Sequence, residues 1–329
     1  MPFDRQSYRQ LEPLIRAARR AAVVTHINPD GDGVGSGLAL ARFLRNRGLD
    51  ARFIPNRAVP ASLAFLAPNG EAAPFVPALG PFLRDADLVI TVDNASVERL
   101  GPLEADIRAS RATRVCIDHH LMREPFWTLN IVDEEACSTG EMVHDCIREL
   151  GGTLDRAMAE AIYVAILTDT GSFRFSRTTG RVHRVVADLL DLGVEPHEIW
   201  HQVHERNPPG FLRLLGAALL DARFAAGGRL AWVELPLALL EECGAAEEDS
   251  SEIINHLLTV EGVEIALLFR EQRDGATKMS LRSRPRHDVN ALARAHGGGG
   301  HRNAAGAVAA RPMAECVARL VPEATAVLG

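Results

Sequence analysis

The stretch His26-Ile27-Asn28-Pro29-Asp30-Gly31-Asp32-Gly33-Val34-Gly35-Ser36 packs a histidine and two carboxylates into one glycine-rich turn. A glycine-rich turn that opens a helix can cradle phosphate on its backbone N–H groups. Asp30 and Asp32 would repel a bare phosphate there. A cation between the carboxylates and the phosphate removes that contradiction. The dinucleotide-binding fingerprint is absent, because Gly31 and Gly33 are followed by Ser36 and acids stand inside the pattern. The bland alternative is an Asx-rich turn capping a helix, with Asp32 or Ser36 as the N-cap.

Three further clusters carry the same residue types. The apolar run Leu88–Val92 ends in Asp93, which in the bland reading caps the next helix. The run Val115-Cys116-Ile117 ends in Asp118-His119-His120, three polar side chains that packing alone explains poorly. Asp169 follows an apolar helical stretch and precedes Gly171. A negative charge near a helix C-terminus is unfavourable by roughly 0.3–1 kcal/mol, and a cation would compensate. His26, His119, Asp30, Asp32, Asp93 and Asp169 thus stand at the ends of separate elements that can converge on one crevice. Mixed imidazole and carboxylate donors suit Mn²⁺ or a related transition ion better than Mg²⁺. Six donors exceed the needs of one tetrahedral zinc and fit a two-metal site with a bridging carboxylate. Such sites hold their ions about 3.5–4 Å apart, activate water and stabilise in-line displacement at phosphorus.

A fifth signal lies far downstream, in His296-Gly297-Gly298-Gly299-Gly300-His301-Arg302-Asn303-Ala304-Ala305-Gly306. The glycines would let backbone approach a ligand closely; taken alone, they read more simply as a flexible loop. Just upstream, Ser280-Leu281-Arg282-Ser283-Arg284 reads as a strand, whose alternation puts Arg282 and Arg284 on one face. Arg282 can fork a phosphate or, in the bland reading, stay a solvated edge charge.

The elements that must position these residues read as α/β. Ala21–Ile27, Ala51–Ile54, Leu88–Val92, Arg114–Ile117 and Thr128–Val132 are short apolar runs of the kind found in buried parallel strands. Ser36–Asn46, Thr139–Leu150 and Ala157–Thr168 carry apolar residues at helical spacing. The expectation is a doubly wound, mostly parallel sheet over residues 1–185. Residues 186–222 read as a helical connector, with helices over Val194–Glu205 and Phe211–Asp221 around the breaker Asn207-Pro208-Pro209-Gly210. A smaller α/β domain follows over 223–329, with strands at Leu230–Leu235, Val263–Arg270 and Lys278–Arg282. Its helices are expected at Ser251–Thr259, Val289–His296 and Met313–Leu320.

Composition narrows the class. The chain has 329 residues, 47% of them hydrophobic and 24% charged, which excludes a disordered chain and a membrane bundle. The formal net charge of −7 argues against coating long nucleic acid, which needs many phosphates neutralised. A short phosphorylated ligand needs only a local clamp. Lys278 is the only lysine among 36 basic residues, so a clamp would be built from Arg. Cys116, Cys137, Cys146, Cys243 and Cys316 are odd in number and widely spaced, which indicates neither a disulfide framework nor a zinc ribbon. The polar N-terminal stretch has no secretory pattern and no run is long enough to span a bilayer, so a cytoplasmic address is expected.

Taken together, His26-x-Asn28-Pro29-Asp30-x-Asp32, Asp93, Asp118-His119-His120 and Asp169 resemble the four motifs of the DHH phosphoesterase superfamily. Gly298-Gly299-Gly300-His301 with Ala304-Ala305-Gly306 is similar to the signature of its DHHA1 C-terminal domain. The resemblance covers nearly the whole chain, in order, and is strongest to the bacterial oligoribonuclease and 3′-phosphoadenosine-5′-phosphate phosphatase group. It implies that His26, Asp30, Asp32, Asp93, His119 and Asp169 hold two divalent ions, with Asp93 bridging. Mn²⁺ is the expected ion, with Mg²⁺ or Co²⁺ as alternatives. His120 would touch the phosphate or protonate the leaving group, and Asp118 would hold a histidine tautomer. Arg282, Ser283, Gly299, Gly300 and His301 would bind substrate across an interdomain cleft. The implied activity is hydrolysis of short oligoribonucleotides, and of 3′-phosphoadenosine-5′-phosphate to AMP and phosphate. No groove for long duplex DNA and no membrane partner are expected, and a homodimer stays open. The rival readings are a phosphodiesterase acting on cyclic di-AMP or a linear dinucleotide, and a non-catalytic nucleotide sensor. Base stacking has no assigned residue; Phe173 and Phe175 read first as buried core.

Overall fold

The computed structural model describes residues 3–120, 126–246 and 252–329. They form two compact units that divide between Arg206 and Asn207. The stretch read as one connector therefore falls partly in each.

The first unit contains strands β1 (Arg20–Val24), β2 (Asp50–Ile54), β3 (Leu88–Val92), β4 (Thr113–Asp118) and β5 (Leu129–Val132). Its helices are α1 (Leu11–Ala17), α2 (Gly31–Asn46), α3 (Gly80–Arg84), α4 (Glu104–Ala109), α5 (Thr139–Glu149), α6 (Arg156–Asp169), α7 (Gly180–Asp191) and α8 (Pro196–His204). The strands pair in parallel in the order β2-β1-β3-β4-β5. Successive residues of each strand face opposite layers. Ala21 and Val23 pack with Leu38 of α2, Met142 of α5 and Ile162 of α6, while Ala22 and Val24 pack with Leu83 of α3 and Ile107 of α4. Burial on both faces explains why the strands read as continuous apolar runs. The expected doubly wound sheet is present. Its order reverses between β1 and β3, and ligands of open α/β sheets bind at that switch point.

One local expectation fails instructively. The helix expected from Ser36 begins at Gly31, and its N-cap is Asp30, whose side chain accepts from Gly33 N at 3.1 Å. Glycine-rich sequence is poor helix former by itself. Here tertiary packing overrides propensity: a Cβ on Gly33 would lie 2.4 Å from Thr25 Oγ1.

The second unit carries β6 (Arg223–Ala225), β7 (Leu230–Leu235), β8 (Ile265–Glu271), β9 (Thr277–Ser283), β10 (Gly299–His301) and β11 (Ala304–Ala309). Its helices are α9 (Pro209–Leu220), α10 (Leu237–Cys243), α11 (Ile253–Leu257), α12 (Val289–Ala295) and α13 (Met313–Leu328). The sheet order is β10-β11-β9-β8-β7-β6, with β7 and β8 parallel and the other pairs antiparallel. Helices α9, α10 and α11 share one core with the sheet, and α12 and α13 share the other. Ser251, the expected start of the helix preceding β8, lies outside the described residues. The glycine run is no loose loop. Gly299 and Gly300 pair with Gly306 and Ala305 as a strand. Gly300 has φ 145° and a Cβ there would lie 2.6 Å from Ala304 O, so close strand approach demands glycine.

Candidate metal centre

Each candidate ligand sits where an element of the first unit ends. His26 follows β1, Asp30 caps α2 and Asp32 lies in its first turn, Asp93 follows β3, Asp118 ends β4 and Asp169 ends α6. Asp93 has φ 54°, a left-handed conformation that Asp tolerates better than most residues, and its N–H donates to Ile117 O at 3.2 Å. The strand thus stops and turns its carboxylate inward.

The donors converge. Ligating atoms lie within 4.8 Å of one another in three overlapping groups: His26, Asp30 and Asp93; Asp32, His119 and Asp169; and Asp93, Asp118, His119 and His120. Asp93 faces both sides, with Oδ2 3.2 Å from His26 Nε2 and Oδ1 3.8 Å from His119 Nε2. His119 Nε2 also lies 3.4 Å from Asp169 Oδ2 and 3.6 Å from Asp32 Oδ2. Asp30 is the open edge of the cluster, its side chain 60% exposed, while His26, Asp32, Asp93 and His119 are buried.

Tautomers follow from the partners. The Ala136 carbonyl lies 3.4 Å from His119 Nδ1 and can only accept, so Nδ1 carries the proton and Nε2 offers a lone pair. Asp118 Oδ1 lies 2.8 Å from His120 Nδ1 and fixes that proton likewise, leaving Nε2 of His120 for chemistry.

Charge is out of balance here. Burial pushes the Asp32 carboxyl up to about 7, the Asp30 charge adds to this, and hydrogen bonds from Thr139, Gly140 and Ser36 oppose it. Burial also raises Asp93 and Asp169 well above the ordinary carboxyl range, reinforced by neighbouring aspartates. Among the described residues the ion-pair partners of these carboxylates are histidines alone. Among the described residues neither ring nitrogen of buried His26 makes a directed hydrogen bond, although Nε2 faces the Asp93 and Asp30 carboxylates at 3.2 and 3.5 Å. Orphaned imidazole nitrogens beside clustered buried carboxylates fit a divalent cation, which would satisfy both at once.

The residues expected to bind substrate lie in the second unit. Arg282 is half-buried on β9, and its Nη1 donates to Leu281 O at 3.1 Å. Ser283 faces the opposite, buried side of the strand, so the structure does not bring it together with Arg282. The Ser283 hydroxyl is engaged within the protein, donating to His287 O at 2.9 Å and accepting from Asn303 Nδ2 at 2.9 Å. Arg284 lies beyond the strand's end and reaches Val263 O and Leu258 O, so it does not share a clamp face with Arg282. His301 pairs by its backbone with Ala304, and its side chain lies outside the described residues. Phe173 packs with Tyr163 and His183, as core-like residues do, whereas Phe175 is 51% exposed rather than buried.

Sequence reasoning missed the residues that aim Asp32. Its Oδ2 accepts from Thr139 N at 2.7 Å, and its Oδ1 from Gly140 N at 2.9 Å and Ser36 Oγ at 3.1 Å. The signal was available, since Ser138-Thr139-Gly140-Glu141 has the spacing of a capping box.

Fold and cluster together define an α/β protein with aspartates and histidines that could hold a cation, gathered at the carboxyl ends of parallel strands. The model of the DHH family N-terminal domain matches residues 20–166, and that of the DHHA1 domain matches residues 235–328. The bifunctional oligoribonuclease and PAP phosphatase NrnA of Thermus thermophilus is 36% identical over 287 residues, 87% of this chain and 82% of that protein. Its namesake from Bacillus subtilis is 29% identical over 286 residues, 86% of this chain and 87% of that protein. The crystal structure of an exopolyphosphatase-related protein from Bacteroides fragilis superposes with a TM-score of 0.93 at 26% identity, covering 98% of this chain and 96% of its own. The chain belongs to the DHH family.

Proposed function

We propose that this chain is a metal-dependent phosphate-ester hydrolase acting on short oligoribonucleotides and on 3′-phosphoadenosine-5′-phosphate. The observation that carries the proposal is the convergence of His26, Asp30, Asp32, Asp93, His119 and Asp169 on one cluster. The similarity to two enzymes named as oligoribonuclease and PAP phosphatase supports the substrate class.

His26, Asp30 and Asp93 would hold one divalent ion and Asp32, His119 and Asp169 a second, with Asp93 shared. The donor set favours Mn²⁺. Bound ions would activate water and stabilise charge developing on phosphorus. His120, its Nδ1–H held by Asp118, would act as the imidazolium, giving its Nε2 proton to the leaving oxygen and remaining as the Nδ1–H tautomer. Arg282, with the hairpin at Gly299, Gly300 and His301, would clamp the nucleotide; Ser283 would shape that hairpin through Asn303 instead of touching substrate.

Hydrolysis by metal-stripped protein, restored with Mn²⁺ or Mg²⁺, tests the reading. The substrates are a labelled RNA dinucleotide, a 24-mer RNA, 3′-phosphoadenosine-5′-phosphate and cyclic di-AMP. Mn²⁺-dependent turnover of the dinucleotide and the bisphosphate, with little on the 24-mer, is expected. Preference for cyclic di-AMP would overturn the substrate assignment and keep the site. Turnover of none of them would overturn the proposed activity.

A further inference from the structure

One segment of the first unit touches two of the candidate ligands from outside the cluster. Ala136 O accepts the hydrogen bond of His119 Nδ1. Three residues later, Thr139 N and Gly140 N donate to the two carboxylate oxygens of Asp32. These bonds cross more than a hundred residues of sequence, so they depend on where the start of α5 is held against α2. A carboxylate gripped at both oxygens has one orientation, and its remaining lone pairs point one way.

Glu141 holds that start. Its N–H donates to the Ser138 hydroxyl at 3.2 Å, and its Oε2 reaches back to accept from Cys137 N at 2.8 Å. Its Oε1 is bound by Arg181 of α7, which also binds Asp145 one turn further along α5. A second arginine, Arg177, donates to Ala136 O at 3.2 Å. Glu141 is buried, and its own side-chain bonds run to Cys137 and Arg181, neither of them a candidate ligand. Gly140 allows close seating, since a Cβ there would lie 2.4 Å from the Ala165 Cβ. The chain of contacts runs from Arg181 through Glu141 to the Cys137–Gly140 backbone and on to Asp32.

We infer that Glu141, braced by Arg181, is a positioning residue that aims Asp32 and His119 at the cation. The inference rests on the metal reading above. Groups that orient ligands typically change metal affinity by about 10–100-fold when removed. A glutamate that merely stabilised α5 would change thermal stability and leave affinity and coordination alone.

The experiment titrates Mn²⁺ into metal-stripped full-length protein by calorimetry and records the visible spectrum of the Co²⁺-loaded form. Glu141→Ala is expected to weaken Mn²⁺ binding about 10–100-fold and to alter the Co²⁺ bands. Glu141→Gln keeps an oxygen that can accept from Cys137 N and is expected to restore affinity to within a few-fold of wild type. Should Glu141→Ala fail to fold, Glu141→Asp keeps the charge but withdraws the carboxylate from Cys137, and it must show the same loss. Wild-type affinity and spectrum in the folded Glu141→Ala or Glu141→Asp protein would overturn this inference alone. A Glu141→Gln protein as impaired as Glu141→Ala would overturn positioning in favour of charge pairing. A wild type that takes up neither ion would overturn the metal reading itself.

Discussion

Each unit buries an acidic centre, and the two are neutralised in opposite ways. In the second unit, Glu264 is bound by Arg229 at 2.9 Å, by His287 Nε2 at 2.5 Å and by Arg286. Burial first, then the charges of Arg286 and Arg229, hold the His287 pKa below its usual range. That centre is closed: guanidinium groups supply the counter-charge, and the site pins β8 to the loop before α12. In the first unit, the ion-pair partners of Asp32, Asp93 and Asp169 among the described residues are imidazoles alone, and their carboxyls are pushed upward. Burying carboxylates without fixed counter-charge is costly. The difference separates a self-compensated ion cluster from a cluster that could take a cation.

The comparison breaks first at Asp93, the carboxylate common to both sides of the cluster. Asp93→Ala is expected to remove Mn²⁺-dependent hydrolysis to the assay's background, measured on the RNA dinucleotide. Retention of more than a tenth of wild-type turnover would refute a shared bridging role. His120→Gln comes next. It removes a proton donor and should lower kcat by about 100-fold or more while Mn²⁺ binding stays close to wild type.

A smaller effect is thermodynamic. Asp32, Asp93 and Asp169 have folded-state pKa values raised above the ordinary value near 3.9. A raised carboxyl stabilises the fold while it is protonated, and that stability is lost as pH rises through the folded pKa, about 7 for Asp32. The thermal midpoint of metal-stripped protein should therefore fall between pH 5 and pH 8, and saturating Mn²⁺ should remove the fall. A midpoint that rises over that range without metal would contradict the charge imbalance. The smallest effect belongs to the second unit. Glu264→Gln should cost about 1–2 kcal/mol by urea unfolding, discounted for the exposure of Arg286, and should leave Mn²⁺ affinity untouched. An effect on Mn²⁺ affinity would show that the two centres are not independent in kind.

Much of this was legible from residue types. The strand Leu88–Val92 and its terminal Asp93 stand where the apolar run places them, because a strand buried on both faces reads as a near-continuous apolar run and the first charged residue marks its end. The Asp118-His119-His120 cluster was legible for the same reason, as polar residues directly after a buried run. The start of α2 was not, because four glycines in its first seven residues hide a helix that only contact with β1 and α6 makes favourable. Strand β10 was hidden similarly: its glycines signal freedom locally, yet pairing with β11 requires them. The grip of α5 on Asp32 spans more than a hundred residues and has no local signature beyond the capping box.

On this reading the first unit would hold divalent cations through six convergent side chains. Calorimetric titration of Mn²⁺ into metal-stripped protein, wild type beside Asp93→Ala, tests it most directly. Two Mn²⁺ per wild-type chain and loss of tight binding in the variant are expected. Absence of Mn²⁺ uptake by the wild type, or equal uptake by both proteins, would contradict it.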